Sequence, residues 1–292
     1  MPALHAANIP SSLSSAFDLF RYARLGLSDP ATMPYIAREL SAASMDANWL
    51  TAYRLCVGLP DGSDSLPPLA LQLAAAPLHL AILAEVKFPF RALGLVHLSQ
   101  VVEQMQAIPF TAVINLLAYT TDARWEKRGM SFGLVTEARL AGELVWRGIT
   151  RALAVGKSPI DSSSASREAD DISAPPHFEQ LIAVPENCGR RYAKIAGDLN
   201  PIHQHALLAK PFGFKRAIVH GTWTLARALA ATGLPRSERF RFDASFRRPV
   251  ELPSQIVIRR YGDSHSSQQN IVVQNAHDAR THLRVRITEL VE

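Results

Sequence analysis

Ile218-Val-His-Gly-Thr-Trp-Thr-Leu-Ala-Arg-Ala-Leu-Ala-Ala-Thr-Gly233 is the stretch on which the reading of the fold turns. From Gly221 to Thr232 it is apolar and helical in character, and Gly233 with Pro235 ends it. Four segments follow that read as strands: Phe240 to Phe246, Gln255 to Tyr261, Asn270 to Asn275 and Thr281 to Leu290. They alternate apolar with polar residues, as in HLRVRITEL, and turn residues separate them. Upstream lie a short strand candidate, Phe178 to Val184, and a helical stretch, Glu186 to Ala196, with Tyr192 and Ile195 on one side. One helix followed by a run of strands predicts α+β, an antiparallel sheet wrapped on a helix.

Between the two helices runs Gly197-Asp-Leu-Asn-Pro201, which must turn. Gly permits unusual backbone angles, Asp and Asn favour turns, and Pro201 disfavours helix at the residue before it. Ile202 to Ala209 reads as another short helix. Asp198 and His203, five apart across this turn, can share one small space and hold a water or hydroxyl between them. A plain structural turn with a neighbouring His is the alternative. His220-Gly221 opens the apolar helix, where a bare backbone N–H and the positive end of the helix dipole favour developing negative charge. There the alternative is a tolerated N-cap Gly beside a core His. His203, His205 and His220 make a poor zinc set, because no Cys or acidic cluster completes it, and no metal is expected. Neither a G-x-S-x-G elbow nor a nucleotide-binding glycine loop is present.

Lys157 to Pro176, KSPIDSSSASREADDISAPP, is almost free of large apolar residues and reads as a flexible linker. It separates residues 1–156 from residues 177–292. In the first part, Leu93 to Met105 reads as a helix, with strands at Thr111 to Thr120, Phe132 to Ala141 and Gly142 to Leu153. Val-His before an apolar run recurs in LGLVHLSQVVEQ and AIVHGTWTLARA, and suggests a duplicated fold. Residues 1–61 hold extra helical segments without an assigned place.

The 292 residues are 48% hydrophobic and 20% charged, the make-up of a globular protein. Two cysteines, Cys56 and Cys188, argue for a reducing compartment. The N-terminus does not look like a secretory signal, and Pro67, Pro68 and Pro77 interrupt the most apolar window, Leu66 to Val86. A cytoplasmic protein without a membrane span is expected. The net charge of +5 suits an acidic or phosphate-bearing partner and lacks the clustered stripe of a nucleic-acid binder.

Tyr192-Ala-Lys-Ile-Ala-Gly-Asp-Leu-Asn-Pro-Ile-His203, with Ala209 after it, resembles the signature of the R-specific enoyl-CoA hydratases, also called hydratase 2 or MaoC-like dehydratases. Ile218-Val-His-Gly221 is similar to that family's central-helix start, and Ala196 departs conservatively from its more usual Ser. The first half, through Phe88-Pro-Phe90 and Leu93-Gly-Leu-Val-His97, is similar to the degenerate first repeat of double-hotdog members. The resemblance implies a double hotdog: two antiparallel sheets, each wrapped on a central helix. It implies reversible hydration of trans-2-enoyl thioesters to (3R)-3-hydroxyacyl thioesters in fatty-acid metabolism. Asp198 and His203 would be the catalytic pair and Gly221 the carbonyl donor. Asn200, Gly197 and Tyr192 would shape the loop or position substrate. Lys210, Lys215, Arg216, Arg247 and Arg248 are candidate phosphate contacts. No cofactor is implied beyond the coenzyme A or carrier-protein thioester itself. A monomer completed by its internal repeat, or a homodimer, is expected. A non-catalytic acyl-thioester binding module and a hotdog thioesterase are the competing readings.

Overall fold

The computed structural model describes residues 3–5, 26–60, 62–92, 94–160, 174–262 and 266–290. Its first half runs β1 (Leu4–His5), β2 (Ala37–Met45), α1 (Ala47–Val57), α2 (Ala70–Ala74), α3 (Ala76–Ala84), β3 (Leu95–Gln104), β4 (Ile114–Glu126), β5 (Gly129–Leu140) and β6 (Glu143–Val155). The second half runs β7 (Phe178–Val184), α4 (Cys188–Ala196), α5 (Ala206–Ala209), α6 (Gly221–Thr232), β8 (Phe240–Phe246), β9 (Ser254–Tyr261), β10 (Gln268–Asn275) and β11 (Thr281–Glu289).

The two expected sheets are in fact one. The strand order is β1-β2-β4-β5-β6-β3-β8-β11-β10-β9-β7. Omitting the two-residue β1, each half lays its five strands out in the same sequence of first, third, fourth, fifth, second. The halves meet edge to edge at their second strands, with Ser99 opposite Ser245 and Gln104 opposite Phe240. This pairing removes an exposed edge from each half, which is why the sheet continues instead of ending twice. The two halves therefore share one strand order.

The expected helix at Leu93–Met105 is strand β3. Ser99 to Gln104 pairs on both flanks, with β6 and with β8, and Gln100, Val102 and Gln104 are the buried members of its alternation. Its Val-His is therefore not equivalent to the Val-His of the second half, which leads into α6. The helical place in the first half belongs to α2 and α3. Pro77 does not break α3, because it lies in the first turn, where a missing N–H leaves no acceptor unpaired. No helix among the described residues is long and apolar enough to cross a membrane.

The second half follows its expected plan closely. Phe240, Phe242 and Ala244 of β8 and Leu283, Val285 and Ile287 of β11 are buried, as are Trp223, Leu225 and Leu229 of α6. One apolar cluster runs through both halves. α1 joins them: Asp46 caps it by accepting the Trp49 N–H at 2.7 Å, and the Trp49 indole donates to the Ile195 carbonyl of α4 at 2.8 Å. Trp223 of α6 donates to the Cys56 carbonyl at 3.2 Å. The expected linker falls largely on residues 161–173, outside the described residues; of the N-terminal stretch 1–61, residues 6–25 also lie outside them, and its one described α-helix is α1.

Candidate active site

α4 ends where Gly197 takes φ +69°, a left-handed conformation that suits a residue without Cβ. The chain then turns on its own side chains. Asp198 Oδ1 accepts the Asn200 N–H at 3.1 Å, and Asn200 Oδ1 accepts the Ile202 N–H at 3.3 Å. Pro201 opens a 3₁₀ turn, Pro201–His203, that carries His203 inward. Two bonds clamp this turn to the segment leading into α6: Ile218 N–H to Ile202 O at 3.1 Å, and His203 Nδ1 to Ile218 O at 2.8 Å.

The second bond decides the chemistry of the imidazole. A carbonyl only accepts, so Nδ1 carries the proton and Nε2 presents a lone pair. His203 Nε2 lies 3.8 Å from Asp198 Oδ2. The pair is too far apart for a direct hydrogen bond, and one water oxygen can contact both. Burial keeps His203 neutral by pushing its pKa down, against the opposing pull of Asp198.

His220 completes the cluster. Its ring stacks on His203 with centroids 3.6 Å apart, and its Nε2 lies 3.6 Å from Asp198 Oδ2 and 3.2 Å from the Asp198 carbonyl. Burial first, and the adjoining His203 second, depress its pKa. Asp198, His203 and His220 offer donor atoms within 4.8 Å of one another. That spacing alone would admit a cation, but Nε2 of His220 must carry a proton to donate to the Asp198 carbonyl, and a protonated nitrogen is no ligand. His205, the other zinc candidate, accepts the Leu207 N–H at 3.3 Å as the cap of α5.

These groups sit on a cavity of about 890 Å³. Gly221, the first residue of α6, lines it, and an N–H in the first turn has no acceptor within the helix. A Cβ at Gly221 would stand 2.9 Å from the Phe246 ring. Both halves supply walls: Phe90, Leu95, His97, Trp125 and Met130 face the second half's Ile202, Phe214 and Val250. Asn200, Arg247 and Arg248 line the cavity, whereas Lys210, Lys215 and Arg216 do not. Tyr192 does not reach it; the residue is fully buried and its ring meets His220 edge-on at 5.2 Å.

Sequence reasoning missed the first half's contribution: Arg91, Arg128 and Lys157 at the cavity wall, and His97, whose ring lies 4.5 Å from that of Phe246. Burial pushes the His97 pKa down to about 4. Apart from the misassigned β3, no local pattern marks these residues, since strand pairing between the halves brings them in.

Residues 167–281 match the MaoC like domain family. Over 206 residues, 70% of this chain and 72% of the relative, the sequence is 29% identical to 3-hydroxyacyl-thioester dehydratase X of Mycobacterium tuberculosis. The fold is similar to the crystal structure of HtdX of Mycobacterium tuberculosis, with a TM-score of 0.73 and 24% identity, covering 88% of this chain and 100% of that one. It is also similar to a conserved hypothetical protein of the same organism described as a double hotdog, with a TM-score of 0.56 and 12% identity over 93% of this chain and 97% of that one. The structure is thus hotdog-like, and the chain carries a MaoC-like dehydratase domain in its C-terminal half.

Proposed function

We propose that the protein is a 3-hydroxyacyl-thioester dehydratase that also runs the reverse hydration, with one active site per chain at Asp198, His203 and Gly221. The observation that carries this reading is the fixed tautomer of His203, whose Nε2 lone pair stands beside the Asp198 carboxylate at the mouth of α6. The thioester carbonyl accepts the Gly221 N–H. In hydration, water held by the pair bonds C3 through its oxygen and leaves one proton on the pair. Negative charge gathers on the carbonyl oxygen, where the amide and the helix dipole stabilise it. The pair then delivers a proton to C2 from the same face, so addition is syn and the (3R)-3-hydroxyacyl thioester forms. Dehydration retraces these steps. Asp198 and His203 act as one coupled unit, held by His220, which donates to the Asp198 carbonyl, and by the Asn200 N–H, which donates to the carboxylate.

The division of labour between the halves belongs to the same proposal. Residues 177–292 form the catalytic hotdog repeat; residues 1–156 form a degenerate one that supplies cavity wall and acyl room. Arg247 and Arg248, with Arg91, Arg128 and Lys157 across the cavity, match the phosphate of a pantetheine-borne thioester.

Loss of the enoyl-thioester absorbance on hydration tests the assignment. Asp198→Asn and His203→Ala each reduce turnover by about 100-fold or more, the scale of general acid–base catalysis, while the thermal midpoint stays within a few degrees. Near-normal turnover in both variants would remove the pair from the mechanism. Release of free thiol without 3-hydroxyacyl product would make the protein a thioesterase instead.

A further inference from the structure

We infer that the face carrying Leu199, Leu207, Leu208 and Phe212 is a docking surface for a small acidic acyl carrier protein, which presents the acyl thioester to the cavity beside it. The inference rests on the dehydratase reading of that cavity and names the carrier.

Four large apolar side chains crowd the short stretch after α4 and stand in solvent. Leu199 is 69% exposed, Leu207 64%, Leu208 50% and Phe212 36%. Clustered exposure of this kind marks an interaction site. The stretch 199–216 contains no Asp or Glu, and it carries Lys210, Lys215 and Arg216, all exposed. No ion pair among the described residues occupies these three cations. The stretch therefore joins exposed apolar side chains to exposed cations without an acid, the complement of an acidic protein with an apolar contact face.

Its position supplies the second argument. Leu199 stands between Asp198 and Asn200, and Phe212 lines the cavity itself. A protein seated here delivers a tethered thioester straight past the catalytic loop. Coenzyme A is too small to cover this spread of side chains, and its phosphates are met by the cations of the cavity wall. A second copy of this chain is a poor occupant. A two-fold contact sets one patch against itself, so Lys210, Lys215 and Arg216 would face their own like charges.

The test compares one trans-2-octenoyl group on coenzyme A and on a purified acidic acyl carrier protein. The full chain is assayed as wild type, as Lys215→Glu/Arg216→Glu and as Leu207→Ala/Leu208→Ala. Each double variant should lower kcat/KM for the carrier-borne substrate by about tenfold or more and leave the coenzyme A substrate within about twofold, because complementary rim charges and central apolar contacts act on encounter with the protein partner. Salt should also depress the wild-type carrier rate more steeply than the coenzyme A rate. Equal loss on both substrates would assign the surface to the nucleotide, and no loss on either would leave the carrier undocked; both overturn the inference. A wild-type dimer that the variants dissociate, with the carrier rate unchanged, would assign the face to a second copy. If neither substrate turns over, the dehydratase reading fails, and direct titration with the carrier protein decides the docking alone: binding that Lys215→Glu/Arg216→Glu weakens upholds it, and no binding overturns it.

Discussion

His203 shows how one backbone bond can settle a residue's chemistry. The Ile218 carbonyl accepts the Nδ1–H hydrogen bond, so the nitrogen facing Asp198 is the basic one. Burial lowers the pKa, which keeps that lone pair free at neutral pH. The sign follows directly: acid protonates Nε2 and removes the base. The pH profile of kcat/KM should therefore be flat above the ordinary histidine value of 6.5 and fall below it. A rate that rises toward acid would contradict a neutral His203. At Gly221 the constraint is steric. Gly221→Ala places a methyl 2.9 Å from the Phe246 ring, so the ring or the first turn of the helix has to shift. We expect a fall in kcat of about tenfold to 100-fold, in keeping with a misdirected oxyanion donor, with partial recovery in Gly221→Ala/Phe246→Leu. Full activity in Gly221→Ala would mean that the carbonyl binds elsewhere.

At the scale of elements, the turn that carries Asp198 and His203 is held from behind by α4. Gly189 lies in that helix, and a Cβ there would be 2.3 Å from the His203 carbonyl oxygen. Backbone cannot yield as a flexible side chain does, so Gly189→Ala must push helix and turn apart. We expect it to cost about 1–3 kcal/mol, as overpacking does, and to cut turnover although Gly189 touches no substrate. Denaturant melts and kinetics on one preparation check this, and an unchanged melt would show that the helix is not a rigid backstop. α4 is tied in turn to α1 through the Trp49 bond to Ile195. The first half therefore braces the loop that the second half supplies. Most elements of the second half were legible from the sequence, Gly221–Thr232 and Phe240–Phe246 to the residue, because each satisfies its own period. Leu93–Met105 was not: its Leu and Val spacing fits either period, and only pairing on both flanks makes it a strand.

Across the whole molecule, one sheet and one core tie the halves into a unit that holds several histidines, buried or half-buried, uncharged. Burial pushes His79 and His97 down to about 4, and His203, His220 and His282 are lowered too. As pH falls below 6.5 the unfolded chain takes up protons that the folded chain refuses. The stability contributed by these groups is thus fully present above 6.5 and is lost on the way down toward 4. Each tenfold loss of proton affinity on folding is worth about 1.4 kcal/mol, so the loss over these histidines should reach several kcal/mol. It should appear as a lower urea midpoint at pH 5 than at pH 7. An equal or higher midpoint at pH 5 would show that these imidazoles are solvated.

By itself the sequence determined the α+β class, the second half's order of elements and the turn that carries Asp198, Asn200 and His203. Those features depend on local periodicity, on glycine and proline restrictions and on short-range side-chain bonds, all of which act within about a dozen residues. The tertiary structure alone decided that the two sheets fuse through β3 and β8, that the first half walls the cavity, and that His220 joins the pair while Tyr192 stays behind it. It also decided which cations line the cavity and which do not. These are matters of long-range pairing and burial, where the free energy of a contact depends on residues far apart in the chain.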